Sequence, residues 1–312
     1  MPVELGYLLP TREMIMSGRN ETGGMLDLAQ RAEGLGFDGI WIGDSLTARP
    51  RHEPLAMLAA VAARVPRVLV GTAVLLPALR NPVLLAHQAA TIDRISEGRL
   101  VLGVGIAGDV PSIRAEFVAA GVPFEKRVGR MMEGLRLARA LWSGEPVTWD
   151  GRWSLDKATI GPTPHRPGGP LLWSAGGLPA SLDRAGRFFD GWLPNSGNAD
   201  AWREKWGEVR RIAGEAGRDP DSLTGAMYLT LSLDEDVEAA GARLDRYLET
   251  YYNAPAVALK KRQECFAGRP SDVSAFLESY AKAGARHLVL RFAGDQIAHL
   301  EAVAAARRVI GA

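Results

Sequence analysis

Short apolar runs of strand length alternate along this chain with stretches whose apolar residues recur at helical spacing. The strand-like runs are Val3–Leu9, Gly39–Gly43, Val68–Leu75, Arg99–Ile106, Leu171–Ala175, Gly191–Leu193, Met227–Leu233 and His287–Arg291. Helical patterns follow nearly every one. They cover Gly24–Leu35 (closed by Gly36), Glu53–Val65, Pro82–Ile95, Ser112–Ala120 with Glu125–Trp142, Pro179–Phe188, Asp200–Ala216, Glu235–Tyr252, Ser271–Ala283 and Asp295–Val309. Eight β-then-α units predict an α/β protein, a (β/α)8 TIM barrel spanning 1–312 as one domain. A doubly wound open sheet is the alternative.

Two stretches interrupt the alternation. After the fourth unit, residues 146–170 carry VTWDGRW, whose Asp-Gly between alternating aromatics predicts a hairpin, and then the loop GPTPHRPGGP. Before the eighth strand, residues 253–269 (NAPAVALKKRQECFAGR) separate two helices and read as a lid-like segment or a helix extension. These two stretches and Leu46–Arg51 are the loops expected to select a substrate.

In a barrel the chemistry sits at the C-terminal strand ends, and three of those ends are unusual here. The third strand, VLVGTAVLLP, thins to Gly71-Thr72-Ala73 just before its exit, as though something needed the space. GVGIAG at 103–108 matches G-x-G-x-x-G, but Asp109-Val110-Pro111 follows, and no second strand ending in an acidic residue comes after it. A loop that lets a ligand approach closely fits better than a dinucleotide fold. WSAGGLPASL at 173–182 offers backbone N–H groups at a helix start, suited to phosphate, or else forms an ordinary tight turn. Asp44 ends the second strand, either as a cap or facing a ligand. His52 and Glu53 open the next helix, Glu53 suiting its positive end and His52 standing as an acid/base candidate.

Composition narrows the chemistry. A net charge of +1 argues against charge-driven binding of nucleic acid or membrane. No apolar run approaches the ~20 residues of a membrane span, and MPVELGYLLPTRE lacks a basic, cleavable leader, so a cytoplasmic protein is expected. The single cysteine, Cys265, excludes a disulfide framework. His87, His165, His287 and His299 are scattered, and neither a metal motif nor a G-x-S-x-G elbow occurs, so no metal site is expected. Few catalytic side chains beside Gly-rich strand ends suggest that a cofactor carries the reaction. A cofactor-free aldolase or hydrolase would need a Schiff-base lysine or a carboxylate cluster at the strand ends. A non-catalytic flavin-binding protein is the remaining class.

The string VLVGTAVLLPALRNPVLLAHQAATIDRISEGRLVLGVGIAG resembles the bacterial-luciferase-like superfamily of flavin- and deazaflavin-dependent oxidoreductases. GLGFDGIWIGDS, GRFFDGWLPN and AGARHLVLRFAG extend the likeness over nearly the whole chain. The resemblance implies a (β/α)8 barrel and a third-strand bulge, commonly with a non-prolyl cis peptide, against the central ring of the cofactor. In this chain that bond is Ala73–Val74, or next Thr72–Ala73. It further implies Asp44 near the ring, Gly105, Ile106, Ala107 and Asp109 bordering the pocket, Ser174, Ala175, Gly176 and Gly177 around the phosphate, and Asn195 on the following loop. Asp44, His52 and Asp109 are the catalytic candidates. Deazaflavin sugar-phosphate dehydrogenases of the superfamily place a histidine after the second-strand aspartate, where this chain has Ser45.

The implied function is oxidoreduction of a small or medium organic substrate by hydride transfer with coenzyme F420. The alternative is a two-component monooxygenase in which reduced FMN, supplied by a separate reductase, works through a flavin C4a-peroxide. Arg49, Arg51, Arg127 or Arg130 could receive the acidic tail of F420. The superfamily's usual pairing implies a homodimer through PLAMLAAVAARV and PVLLAHQAATI.

Overall fold

All eight predicted strands form, and they close into a parallel barrel. This computed structural model describes residues 3–307. The outermost residues of the predicted 1–312 domain, and with them the end of the Asp295–Val309 helix, lie outside the described residues. Strands β1 (Glu4–Leu8), β2 (Gly39–Ile42), β3 (Leu69–Leu75) and β4 (Leu100–Val104) pair in chain order. Next come an antiparallel hairpin, β5 (Val147–Asp150) and β6 (Ser154–Ala158), and then β7 (Leu171–Ser174), β8 (Gly191–Trp192), β9 (Thr224–Leu233), β10 (Cys265–Gly268) and β11 (His287–Phe292). The ring runs β1-β2-β3-β4-β7-β8-β9-β11 and returns to β1 through pairs from Glu4↔His287 to Tyr7↔Leu290.

The hairpin appears where the Asp150-Gly151 turn predicts it, but it lies outside the barrel. Arg152 ties it to Glu133 through its backbone N–H at 2.7 Å, on the helix Arg127–Leu141. The lid-like segment is also partly built in. β9 is ten residues long and outreaches two-residue β8, which leaves a free edge that β10 fills from Cys265↔Thr230 to Gly268↔Leu233. An open strand edge is a row of unpaired backbone groups, so closing it satisfies both strands. Only the short helix Ala256–Lys260 stands apart from this pairing.

The two-residue pleat sorts each strand into an outer and an inner row. Ile40, Ile42, Val70, Leu102, Leu172, Leu229 and Leu290 pack outward beneath the helices. Trp41, Ala73, Val101, Trp173, Leu193, Ala226 and Val289 point inward. Trp41 and Trp173 meet at 5.3 Å between centroids, and His287 sits 5.1 and 5.6 Å from them. Trp41 Nε1 donates to His287 Nε2 at 3.0 Å, so the imidazole proton lies on Nδ1, facing Glu4 Oε2 at 3.0 Å. This aromatic plug fills the lower barrel.

The plug also accounts for part of the thin third strand. A Cβ on Gly71 would stand 2.5 Å from Trp41 Cζ3 and 2.9 Å from the Val101 carbonyl oxygen. The space at Gly71 therefore belongs to Trp41, and only the later positions of the strand face the mouth.

Candidate active site

A cleft of about 360 Å³ opens at the C-terminal mouth, where a barrel keeps its reacting groups. Its floor is made by Ala73 and Val74, Gly105 and Ala175, at the exits of β3, β4 and β7. The Ala73–Val74 peptide is cis, and the β3–β4 register shifts between Thr72 and Leu75. This irregular exit brings Val74 to the cleft. A Cβ on Gly105 would lie 2.8 Å from Val74 Cγ2, so the glycine is what lets the two strand ends lie together.

Of the residues singled out from the sequence, Asp44, Ile106, Ala107, Gly176 and Asn195 also line the cleft. Thr72 and Ser174 do not. Each alternates with inward neighbours and so falls on the outer row. Thr72 is fully buried with its hydroxyl donating to the Gly103 carbonyl at 2.8 Å, and Ser174 is buried as well. Gly177 lies beside the cleft, where a Cβ would meet Lys205 Nζ at 3.2 Å and Ser196 Oγ at 3.9 Å. Gly176, at φ +102°, takes a left-handed conformation that favours glycine. The two glycines thus form an open backbone turn next to a lysine that has no carboxylate partner among the described residues.

Asp44 is held firmly. Oδ2 accepts from the Leu76 N–H at 2.9 Å and from Arg80, and Oδ1 accepts from Arg80 Nη2 at 3.1 Å. The carboxylate therefore pins the β3 exit, which carries Val74, to the end of β2. Arg80 also reaches Glu53 at 3.0 Å, so Glu53 serves both this pair and the N-cap of its helix. Ser45 Oγ donates to Glu116 Oε1 at 2.7 Å and accepts from the Arg49 N–H. Glu116, fully buried, also accepts from the backbone N–H groups of Leu46, Thr47 and Ala48. One carboxylate organises the whole β2 loop.

The other two catalytic candidates stand apart from the cleft lining. His52 Nε2 lies 3.0 Å from the Asn20 carbonyl oxygen. Asp109 is exposed and paired with Arg114 at 2.6 Å, whose guanidinium holds its carboxyl below the usual range. Arg127 and Arg130 donate to carbonyls, of Ile106 and Ala78 respectively. Residues 146–170 contribute nothing to the lining.

Four polar lining residues escaped the sequence reading: Tyr228, Tyr251, Tyr252 and Arg291. On β11 the inner row runs His287, Val289, Arg291, and on β9 it runs Ala226, Tyr228, Thr230. A lone arginine in the apolar run HLVLRF, in phase with the inner row, was the available signal. Arg291 is 2% exposed and bonds Thr230 Oγ1 at 2.7 Å, Tyr252 Oη at 2.8 Å and Gln263 Oε1 at 2.8 Å. Burial opposes its charge, but the surrounding tyrosines, Tyr228 first, carry its pKa upward. Burial pushes the Tyr228 phenol well above its ordinary value, against the pull of Arg291, so Tyr228 faces the cleft as a neutral donor.

The luciferase-like monooxygenase family model matches residues 3–309. An F420-dependent glucose-6-phosphate dehydrogenase of Kineococcus radiotolerans is 31% identical, over 94% of this chain and 92% of its own. One of Nakamurella multipartita is 35% identical over 77% and 70%. Among solved structures, an F420-dependent secondary alcohol dehydrogenase in complex with an F420-acetone adduct superposes with a TM-score of 0.84 at 21% identity, covering 100% of both chains. A long-chain alkane monooxygenase gives 0.80 at 14% identity, covering 100% of this chain and 92% of its own. At such identities the two structures establish the fold alone. The family match along almost the whole chain, and relatives above 30% identity, lead to one conclusion: the chain belongs to the luciferase-like monooxygenase family.

Proposed function

We propose that this protein is a coenzyme F420-dependent oxidoreductase acting on a small or medium-sized organic substrate. The observation that carries this reading is the cleft floor, in a chain that aligns over nearly its full length with F420-dependent relatives. The residues present fit the cofactor's parts. Ala73, Val74, Gly105 and Ala175 make a small, uncharged bed for a flat ring. The Gly176–Gly177 turn offers open backbone beside Lys205, the donor chemistry a phosphate requires. When bound, the deazaflavin supplies a hydride donor or acceptor at C5 of its ring.

The chain's own residues bind, orient and exclude water. Asp44 and Arg80 fix the β3 exit that would bed the ring. Leu76, Ile106, Ile113 and Leu193 give the cleft an apolar wall that displaces solvent from the reacting face. Ser45, bonded to Glu116, holds the loop rather than a substrate proton.

Fluorescence titration tests the assignment. F420 is expected to bind more tightly than FMN, with affinity falling as salt rises, because its tail adds carboxylates to the shared ring and phosphate. Tight binding of reduced FMN without detectable F420 binding would shift the function to a monooxygenase served by a separate reductase.

We also propose a homodimer through the helices Pro54–Arg64 and Pro82–Ile95, on the second of which Leu84 is 62% exposed. Light scattering at micromolar concentration is expected to give twice the chain mass, and a monomer's mass would end this proposal. Among the described residues no helix is long and apolar enough to cross a membrane.

A further inference from the structure

We propose that the mouth of the barrel holds a built carboxylate-binding subsite, formed by Arg51 and Arg291 and walled by tyrosines, which makes the substrate an organic acid. This rests on the oxidoreductase reading above and names the substrate class for that site.

Three guanidiniums, of Arg49, Arg51 and Arg291, line the cleft with no carboxylate partner among the described residues. The last two are the most enclosed, which is unusual for unpaired arginines. Arg291 is 2% exposed, and its bonds to Thr230, Gln263 and Tyr252 occupy all but one Nη1–H. Arg51 donates from Nε to the Arg49 carbonyl at 3.2 Å and from Nη2 to Tyr251 Oη at 3.0 Å. Its Nη1 has no protein partner and lies against Gly43, where a Cβ would stand 2.2 Å from it. Both guanidiniums lie beside one ring, with Cζ atoms 5.8 and 4.8 Å from the centre of Tyr251.

The surrounding charge is predominantly positive. Arg49 lies over Tyr252 at 4.7 Å and lines the same cleft, and Arg12 lies over Tyr251 at 4.8 Å. The carboxylates facing the cluster are Glu13, which accepts from Tyr247 Oη, and Asp44, which is taken by Arg80. Four arginines thus face two carboxylates, one of them paired with Arg80 and the other bonded to a tyrosine. The loop carrying Arg49 and Arg51 is already fixed through Glu116, so little ordering is needed when an anion arrives.

Topology separates this subsite from the place of a cofactor phosphate. Arg51 follows β2 and Arg291 lies on β11, the two strands that flank β1. The Gly176–Gly177 turn follows β7, which lies opposite β1 in the eight-strand ring. An anion at the arginines therefore enters on the far side from the phosphate turn. Within the enclosed pair the free donors are few: one N–H on Arg291 and Nη1 of Arg51. That supply matches the two oxygens of a planar carboxylate better than the three of a phosphate monoester. The unpaired Arg49 guanidinium adds charge beside it over Tyr252. Tyr228 and Tyr252 border the same space and suit a flat, unsaturated body.

Calorimetric titration with benzoate, phenyl phosphate and benzamide tests this, on the protein with and without F420. Benzoate is expected to bind both forms, with benzamide weaker by about ten-fold or more. Arg51→Gln should lower benzoate affinity about ten-fold while leaving benzamide unchanged, and Arg51→Lys should recover part of the loss. Arg51 is tested because Arg291 lies deep enough that its removal could unfold the barrel. Equal binding of benzamide, no benzoate binding at millimolar concentration, or unchanged affinity in Arg51→Gln overturns the subsite. Tighter binding of phenyl phosphate overturns the carboxylate assignment, and displacement of F420 by benzoate overturns its separation from the cofactor. Benzoate binding to the F420-free protein stands even if F420 proves to be the wrong cofactor, so the two readings fail separately.

Discussion

Gly105→Leu is expected to weaken F420 binding by about a hundred-fold or more without unfolding the protein. The argument begins at the strand ends. Gly105 follows β4 in phase with its inner-row Val101, and the cleft floor passes from Val74 across Gly105 to Ala175. The nearest atom to a Cβ there would be Val74 Cγ2 at 2.8 Å, with Ala175 Cβ next at 3.7 Å. Both are side-chain atoms at an open mouth, so a larger residue can grow toward solvent rather than into the plug. It would then occupy the bed assigned to the ring. Fluorescence titration gives the affinity, and a thermal melt shows whether the fold survives. A folded variant that binds F420 as wild type does would remove the ring from this floor.

How far the sequence could be read depended on the kind of information each residue carries. Strand and helix periods are local, so the eight strands, the Asp150-Gly151 hairpin and the placement of the mouth were legible. The cis peptide at Ala73–Val74 followed from the resemblance, since nothing local distinguishes that bond from its neighbours. Gly71 announced space without saying who fills it, and the occupant is Trp41, thirty residues earlier on β2. Thr72 and Ser174 were carried over as neighbours of lining residues, yet the pleat turns both outward. Asp44 was placed correctly at the cleft, but its three bonds to Leu76 and Arg80 depend on β3 lying beside β2. Arg291 and Tyr228 were visible as polar residues in apolar strands and in phase with the inner row. Pattern reading absorbed them into the strands because it weighs the run and not the exception. Tyr251 and Tyr252 end a helix, and only the barrel's closure brings them over Arg291.

Gly71→Ala is expected to lower stability by about 3 kcal/mol, at the upper end of the usual cost of overpacking, or to leave the protein insoluble. One methyl group is enough because neither neighbour can yield. Trp41 Cζ3 and Cε3 would lie 2.5 and 2.7 Å from the new Cβ, and Trp41 is already wedged against Trp173 at 5.3 Å and bonded to His287. The other neighbour, the Val101 carbonyl oxygen at 2.9 Å, is backbone in β4, and moving it opens the β3–β4 ladder. The strain would therefore pass into the strand that carries Val74, and F420 affinity should fall with stability rather than separately. Trp41→Leu in the same chain removes the two clashing ring atoms and should recover part of the loss, although it leaves its own cavity and an unpaired His287 Nε2. Urea unfolding midpoints of the single and double variants measure both effects. A Gly71→Ala protein as stable as wild type, or a double variant no better than the sum of its two single losses, would show that Trp41 does not hold the space beside the third strand.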